Sequence, residues 1–411
     1  MNIIEIINKK RWKQELSFEE LKFAFMGYLN KEIEDYHMSA LLMAIVLNGM
    51  TDEEIFNLTD IFINSGEILD LSKIDGIKVD KHSTGGIGDK TTFIIAPIVA
   101  SLGIKVCKMS GRGLGYTGGT IDKLESIPGF RVNLTDKEII KEVNDIGMVV
   151  SSQTANLAPL DKVVYALRDV TGTVESVPLI AVSIMSKKIA SGADKILIDI
   201  KVGDGALIHT KEDAIALSLI MQNIGKKYGR EVRTIITDMR YPLGRTVGNT
   251  LEVIEAASVL KGHGKDTYLY EVCMEIASNI IGMALNIPIE EAKTLAEKTI
   301  NSGEAYNKFR EFIKYQGGRL EESSLSKKTR VVRSTRVGTL KEINALKIGM
   351  LSAALGSSKI NVDDEIDYGV GVVLYKEVGD QVKFGDVLCT LYIGENDNYP
   401  DPLDAFTIEQ M

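Results

Sequence analysis

Residues 81–89 read Lys-His-Ser-Thr-Gly-Gly-Ile-Gly-Asp, and residues 108–125 read Lys-Met-Ser-Gly-Arg-Gly-Leu-Gly-Tyr-Thr-Gly-Gly-Thr-Ile-Asp-Lys-Leu-Glu. Both segments mix glycines with cations and hydroxyls. That mixture suits an anion: glycine lets backbone N–H groups turn inward, a following helix adds its positive end, and lysine neutralises what remains. The first segment neither closes with Gly-Lys-Ser/Thr nor has the glycine spacing of a dinucleotide site, so both nucleotide-loop readings fail for it. Glycine content alone fits a tight turn equally well, Ser83 and Thr120 fit helix caps, and the lysines fit a solvated surface. His82 is the only histidine in the two segments. An imidazole, with an ordinary pKa of about 6.5, suits proton donation near neutral pH, and it equally suits a loop fixed by backbone carbonyls.

Such loops need strands before them and helices after them. Short β-rich runs at Ile77–Val79, Ile104–Met109, Met148–Ser151, Ile196–Ile200 and Val232–Thr237 alternate with helical runs such as Thr135–Ile146 and Asp213–Lys226. This alternation predicts a sheet with crossover helices, in which two glycine loops after parallel strands converge on one crevice. Ahead of it, residues 17–66 read as helix throughout. Ser17 with Glu20 and Thr51 with Glu54 have capping-box spacing, and Leu21, Phe25 and Tyr28, like Ile55, Leu58 and Phe62, fall on one face. Pro159–Asp169 and Pro178–Ala190 are further helices opened by proline, and their apolar faces fit either partner. Past Lys327 helical signals fade, and Val370–Tyr375 with Val387–Tyr392 read as hairpins of a β-rich tail. That tail resembles a barrel-sandwich module of the biotinyl and lipoyl type, although Lys376, inside a Lys-Glu pair, is not placed as a carrier lysine would be.

The expected fold is therefore α/β: a small all-α domain, a larger α/β domain with a mixed sheet, and a β-rich, barrel-sandwich-like C-terminal part. The segments are 1–66 and 159–190 for the α domain, 77–151 and 194–327 for the α/β domain, and 328–411 for the β-rich part. A chain of 411 residues is long enough for at least two packed units. Its formal charge of −9 argues against a nucleic-acid backbone as partner. Three cysteines and four histidines without short ligand spacing argue against a disulfide scaffold and a zinc site. Met1–Trp12 lacks the apolar core of a signal peptide, and the longest apolar run near a motif, Thr91–Ile104, is too short to span a bilayer of about 30 Å. A soluble, cytoplasmic protein is expected, with no membrane partner.

The run Ser-Gly-Arg-Gly-Leu-Gly followed by Gly-Gly-Thr-Ile-Asp-Lys-Leu-Glu, residues 110–125, resembles the pyrimidine-nucleoside phosphorylases, which include the thymidine phosphorylases. The first loop, Tyr165-Ala166-Leu167-Arg168-Asp169 and Ser183-Ile184-Met185-Ser186-Lys187-Lys188 agree with that family too, and the resemblance extends over nearly the whole chain. It implies a homodimer that carries out reversible phosphorolysis of pyrimidine nucleosides, with inorganic phosphate as co-substrate and no organic cofactor, in a cleft between the two domains. It assigns phosphate to Lys81, Ser83, Ser110 and Thr120, to the backbone of Gly85 and Gly86, and to Thr92 and Lys108. It assigns the pyrimidine to Arg168, Ser183 and Lys187. Ser183 and Lys187 stand four apart and would share a helix face, although Lys187 beside Lys188 also reads as a solvated pair. His82 is the candidate acid, with Arg168 and Lys187 supporting charge on the departing base.

Two departures qualify the resemblance. Tyr116 stands where many relatives carry histidine, so a cationic role there is lost. The family also holds a monovalent cation through groups that map to Gly88, position 90, Leu243, position 246 and Glu255, with a hydroxyl residue usual at position 90. Here those positions hold Lys90 and Thr246. A lysine at the positive start of a helix needs acceptors: either its ammonium replaces potassium there, or it points into solvent and the ion binds through the other groups. Competing readings are a strict thymidine phosphorylase, an anthranilate-type phosphoribosyltransferase using Asp89 and Asp122 for magnesium, and a nucleoside-binding protein without chemistry.

Overall fold

The computed structural model describes residues 1–410 except 114, 117, 155, 360–363 and 397; Leu114 and Thr117 of the second glycine segment thus lie outside the described residues. Along the chain, α1 (Ile3–Arg11), α2 (Phe18–Leu29), α3 (Asp35–Asn48) and α4 (Asp52–Ile63) come first. Then follow β1 (Lys78–Ser83), α5 (Thr91–Ser101), β2 (Lys105–Ser110), α6 (Thr120–Glu125), α7 (Asp136–Ile146) and β3 (Met148–Ser152). Next are α8 (Pro159–Thr171), α9 (Val177–Ala190), β4 (Lys195–Val202), α10 (Lys211–Lys227), β5 (Glu231–Asp238), β6 (Thr246–Val247) and α11 (Asn249–Leu260). Three helices, α12 (Tyr268–Leu285), α13 (Ile289–Asn301) and α14 (Glu304–Tyr315), precede β7 (Lys328–Arg333), β8 (Gly338–Ile343), α15 (Ala345–Ser352), β9 (Gly371–Leu374), β10 (Gln381–Val382), β11 (Val387–Ile393) and β12 (Phe406–Glu409).

The chain divides into two compact units. The first holds Met1–Lys73, Gln153–Ile196 and Lys211–Thr234. Both predicted capping boxes form: Ser17 and Thr51 accept from the amides of Glu20 and Glu54, whose carboxylates reach back. Glu54, fully buried, also pairs with Lys10 at 2.6 Å. α8 and α9 belong here, with Leu160, Val164, Ile180 and Ile184 buried. So does α10, which the sequence reading gave to the α/β domain as part of 194–327. Its buried face, Ala214, Leu217, Met221 and Ile224, packs on α9 and α4, so its apolar stripe serves the helical core.

The second unit holds Ile74–Ser152, Leu197–Thr210 and Ile235–Met411. Its five-stranded sheet has the order β3-β2-β1-β4-β5. The pairs β1 with β2 and β2 with β3 are parallel, and antiparallel pairing occurs in two C-terminal sheets, β10-β8-β12 and β6-β9-β11-β7. The chain leaves β1 toward β2 on one side and β4 toward β5 on the other. The switch point therefore lies between β1 and β4, where an open α/β sheet offers a crevice at the carboxyl ends of its strands. α5 is buried from Thr91 to Ala100 on every side, packed by α11, α12, α13 and α14, and so fixes the end of the first glycine loop. Residues 249–315 are almost wholly helical, a density of helix that the sequence reading did not resolve within 194–327. The tail also departs from expectation. It contains α15, capped by Asn344, whose side chain accepts from Lys347 N at 3.0 Å. Lys376 donates to Gln381 O and pairs with Asp386 at 3.3 Å, which leaves the carrier reading without its lysine. Among the described residues no single helix is long and apolar enough to cross a membrane.

Glu142 on α7 is 1% exposed, and its Oε1 has no hydrogen-bond partner among the described residues. Burial pushes its carboxyl up to about 8; Arg131 opposes that shift, and Asp145 and Glu138 add to it. A carboxyl raised on folding stabilises below its unfolded pKa and loses that contribution as pH rises through the folded value. Glu142→Gln should therefore melt with wild type near pH 4.5 and at increasingly higher temperature than wild type up to pH 8, read by thermal unfolding across that range. A constant difference at all pH values would contradict this.

Candidate active site

The residues of the first glycine segment begin on the strand. β1 runs to Ser83 and β2 to Ser110, past the ends read from apolar residues alone, because polar side chains at a sheet's carboxyl edge still complete backbone pairing. The register pairs Lys78 with Lys105 and Val79 with Val106. Continued along both strands, it sets Lys81 beside Lys108 and Ser83 beside Ser110. Within each strand the lysine and the serine are two apart and share a face. His82 and Asp80 take the opposite face of β1.

Both lysines are buried and engaged. Lys81 Nζ donates to Thr91 Oγ1 at 2.6 Å and lies 3.8 Å from Asp89 and 3.7 Å from Asp199. Lys108 Nζ donates to Lys81 O and lies 3.9 Å from Asp80. Asp199 on β4 also pairs with the fully buried Lys201 at 2.8 Å and accepts from Thr237 at 2.6 Å. Burial pushes Asp89 upward, but the charges of Lys81 and Lys201 and hydrogen bonds from Ser83 and Thr91 outweigh it and hold the carboxyl well below the usual range. For Lys201, burial pulls the ammonium down, and Asp199 and Asp89 more than reverse the effect. Two lysines and two aspartates thus form a compact cluster under the first loop. The loop rests directly on it: a Cβ at Gly86 would lie 2.9 Å from Lys201 Cδ. Ser83 Oγ accepts from Gly85 N at 3.2 Å, Thr92 is buried in the first turn of α5, and Ser110, Thr120 and His82 are half-buried.

The second loop is tied by Asp122. Its Oδ2 accepts from Gly113 N at 2.6 Å and Gly119 N at 2.9 Å, while Arg112 lies 3.3 Å from Oδ1 and forks onto Glu125. A Cβ at Gly119 would come within 2.2 Å of Gly113 N. Asp122 therefore shapes the loop, and Asp89 serves Lys81 and Thr91, so the two carboxylates that a magnesium-dependent reading needs are already committed. Tyr116 is exposed.

Lys90, at the N-cap of α5, is fully buried. Its Nζ donates to Leu243 O at 2.7 Å, Thr246 O at 2.9 Å and Glu255 Oε2 at 2.8 Å. Burial would raise the Glu255 carboxyl, but the Lys90 charge and hydrogen bond, with donors from Thr246 and Arg245, lower it. Gly88, at φ 76°, abuts the same turn; a Cβ there would sit 2.7 Å from Leu243 O. Leu243, Thr246 and Glu255, three of the positions mapped to a monovalent cation, converge on one point, and the Lys90 ammonium lies there.

In the first unit, Arg168 on α8 is 2% exposed and donates to Thr173 O, Leu179 O and Val174 O at 3.1, 3.3 and 2.7 Å. Burial lowers its basicity, against the charges of Asp161 and Tyr165. On α9, Lys187 Nζ donates to Ser183 Oγ at 3.1 Å, so the predicted shared face is real, and to Asp161 Oδ2 at 2.6 Å. The Tyr165 ring lies 5.6 Å from the Arg168 guanidinium and 5.9 Å from the Lys187 ammonium. Lys188, read as half of a solvated pair, is instead 1% exposed. His263 is an exposed loop residue bonded to Ser258. Asp161, Tyr165, Asp199 and Lys201 went unrecognised in the sequence as parts of these clusters. For Asp161 and Tyr165 there was a signal, since they fall on one helix face with Arg168; Asp199 and Lys201 sit on an otherwise apolar strand, where charge needs a partner.

Residues 4–66 match the family described as glycosyl transferase family, helical bundle domain; residues 75–306 match its a/b domain; and residues 339–408 match the pyrimidine nucleoside phosphorylase C-terminal domain. The pyrimidine-nucleoside phosphorylase of Staphylococcus haemolyticus is 49% identical over 399 residues, 95% of this chain and 92% of that protein. The enzyme of the same name from Bacillus subtilis is 48% identical over 401 residues, with the same coverage. Among solved structures, anthranilate phosphoribosyltransferase from Thermus thermophilus shares the fold, with a TM-score of 0.60 at 17% identity over 76% of this chain and 99% of that one. With such identity over nearly its full length, and with all three domains matched in order, the chain belongs to the pyrimidine-nucleoside phosphorylase family.

Proposed function

We propose that this chain catalyses reversible phosphorolysis of pyrimidine nucleosides, uridine, thymidine and deoxyuridine among them, to the free base and ribose or deoxyribose 1-phosphate, as a salvage enzyme. The observation that carries the reading is the pair of glycine loops at the carboxyl ends of adjacent parallel strands, with Lys108 donating to Lys81 O between them. The names of its relatives support the same reaction.

Phosphate is held by Lys81, Ser83, Ser110 and Thr120, by the backbone of Gly85 and Gly86, and by Thr92 and Lys108. One of its oxygens forms a bond to C1′ as the bond from C1′ to N1 of the base breaks. The electron pair passes to the pyrimidine, where its charge spreads over O2 and O4. Arg168 and Lys187 meet that charge, Ser183 orients the ring, and His82 supplies the proton. These contacts strengthen as charge develops, which is what lowers a barrier. Arg168 now satisfies carbonyls of its own chain, and Lys187 is held by Asp161, so both cations stand oriented before the base arrives. No organic cofactor enters the scheme. Lys108, which would reach the pentose as well as phosphate, favours acceptance of the ribose 2′-hydroxyl and hence of uridine, against a strict thymidine phosphorylase. A cytoplasmic homodimer completes the proposal, and light scattering in solution reads its dimer.

Purified protein should convert uridine and thymidine to free base only when phosphate is added. Lys81→Ala should raise the KM for phosphate more than that for nucleoside, and His82→Ala should lower kcat by about 10²–10⁴-fold, the range for a positioned acid. Equal turnover in phosphate-free buffer would contradict the assignment.

Lys90 takes the place of the family's monovalent cation, supported by the three acceptors on its ammonium. Wild-type rates should then be the same in potassium, sodium and choline buffers, while Lys90→Thr should acquire a potassium requirement. A wild-type requirement for potassium would refute the replacement.

A further inference from the structure

A second buried lysine reaches α11 from the glycine loops. Lys123, in the last part of α6, is 1% exposed. Its Nζ donates to Asp89 O at 2.9 Å and to Gly118 O at 2.9 Å, and it lies 2.9 Å from Glu252 Oε2. Asp89 closes the first glycine loop, and Gly118 belongs to the second. One ammonium therefore takes a carbonyl from each. Glu252 is held in turn by Gly248 N, which donates to its Oε1 at 3.2 Å. Among the described residues its Oε2 has no hydrogen bond. The carboxylate thus acts on Lys123 mainly as a charge at short range, and the ammonium's directed bonds go to the loops.

We propose that Lys123, with Glu252 as its counter-charge, is the positioning residue that sets the spacing between the two phosphate loops. This role rests on the reading of those loops as the phosphate site. The physical reason is specific. Buried carbonyls need donors, and a loop carbonyl bonded to a buried, fixed ammonium cannot shift independently of it. A single donor shared by both loops fixes two backbones at once, whereas separate donors would leave their separation free. The second loop also approaches α11 closely: a Cβ at Gly118 would lie 2.9 Å from Oδ1 of Asn249, the first residue of that helix. Glu252 and Glu255 stand three apart on that helix, so Lys123 and Lys90 bring the loops to one helix face.

The test is steady-state kinetics of Lys123→Met and of the double variant Lys123→Met/Glu252→Gln. The single variant leaves Glu252 buried without its partner and is expected to be poorly stable. The double variant removes both charges while keeping an acceptor for Gly248 N, and it should unfold at a higher temperature than the single variant, below wild type by the two carbonyls that lose their donor. In that folded double variant the KM for phosphate should rise by about 10²-fold, the cost of misplacing positioned groups by about an ångström, while the KM for nucleoside changes little. Lys123→Arg, which keeps the charge and the donors, should recover part of the loss. An unchanged phosphate KM in the folded double variant, or an equal rise in both KM values, would overturn the proposal. If wild type itself turns over nucleoside without phosphate, the failure belongs to the phosphate reading and not to Lys123.

Discussion

Buried backbone carbonyls need donors, and that constraint organises the glycine loops and the segments around them. Buried ammonium groups supply those donors here. Lys108 takes Lys81 O, Lys123 takes Asp89 O and Gly118 O, and Lys90 takes Leu243 O and Thr246 O. Each ammonium then needs a negative partner, supplied by Asp80, Glu252 and Glu255 in turn. Buried ion pairs of this kind contribute little to stability, because desolvation offsets their attraction. Their value is geometric: they hold backbones where apolar packing could not satisfy the polar atoms.

The charge arrangement follows the same logic in both units. Under the first loop, Lys81 and Lys201 lie against Asp89 and Asp199. An incoming dianion would meet preset charges and hydroxyls and would require little rearrangement. On the helical side Asp161 balances Lys187, and Tyr165 offers one ring to two cations. The cations are held in place at modest cost and keep the capacity to answer new negative charge.

Much of this was legible in the sequence because it is local. Capping boxes, glycine loops and the four-residue spacing of Ser183 and Lys187 are written within a few residues, and each forms. Lys90 was legible by a different route, since a lysine at a helix start must find acceptors, and it finds them 153 to 165 positions away. What stayed hidden depends on such distant pairings without a local oddity to announce them. Lys123 reads as an ordinary helix residue until Glu252 is beside it. The stripe of α10 reads equally as a cover for a sheet or for helices, and only packing on α9 decides. α15 is short, and its cap, Asn344, lies in a stretch dominated by strand signals.

The account stands on phosphate being a reactant at the glycine loops. Phosphorus-31 NMR of the protein incubated with uridine and inorganic phosphate reads this directly. It should show the inorganic signal falling as a pentose 1-phosphate ester signal grows, in equal amount to the uracil released. Release of uracil with the inorganic phosphate signal unchanged would contradict the account.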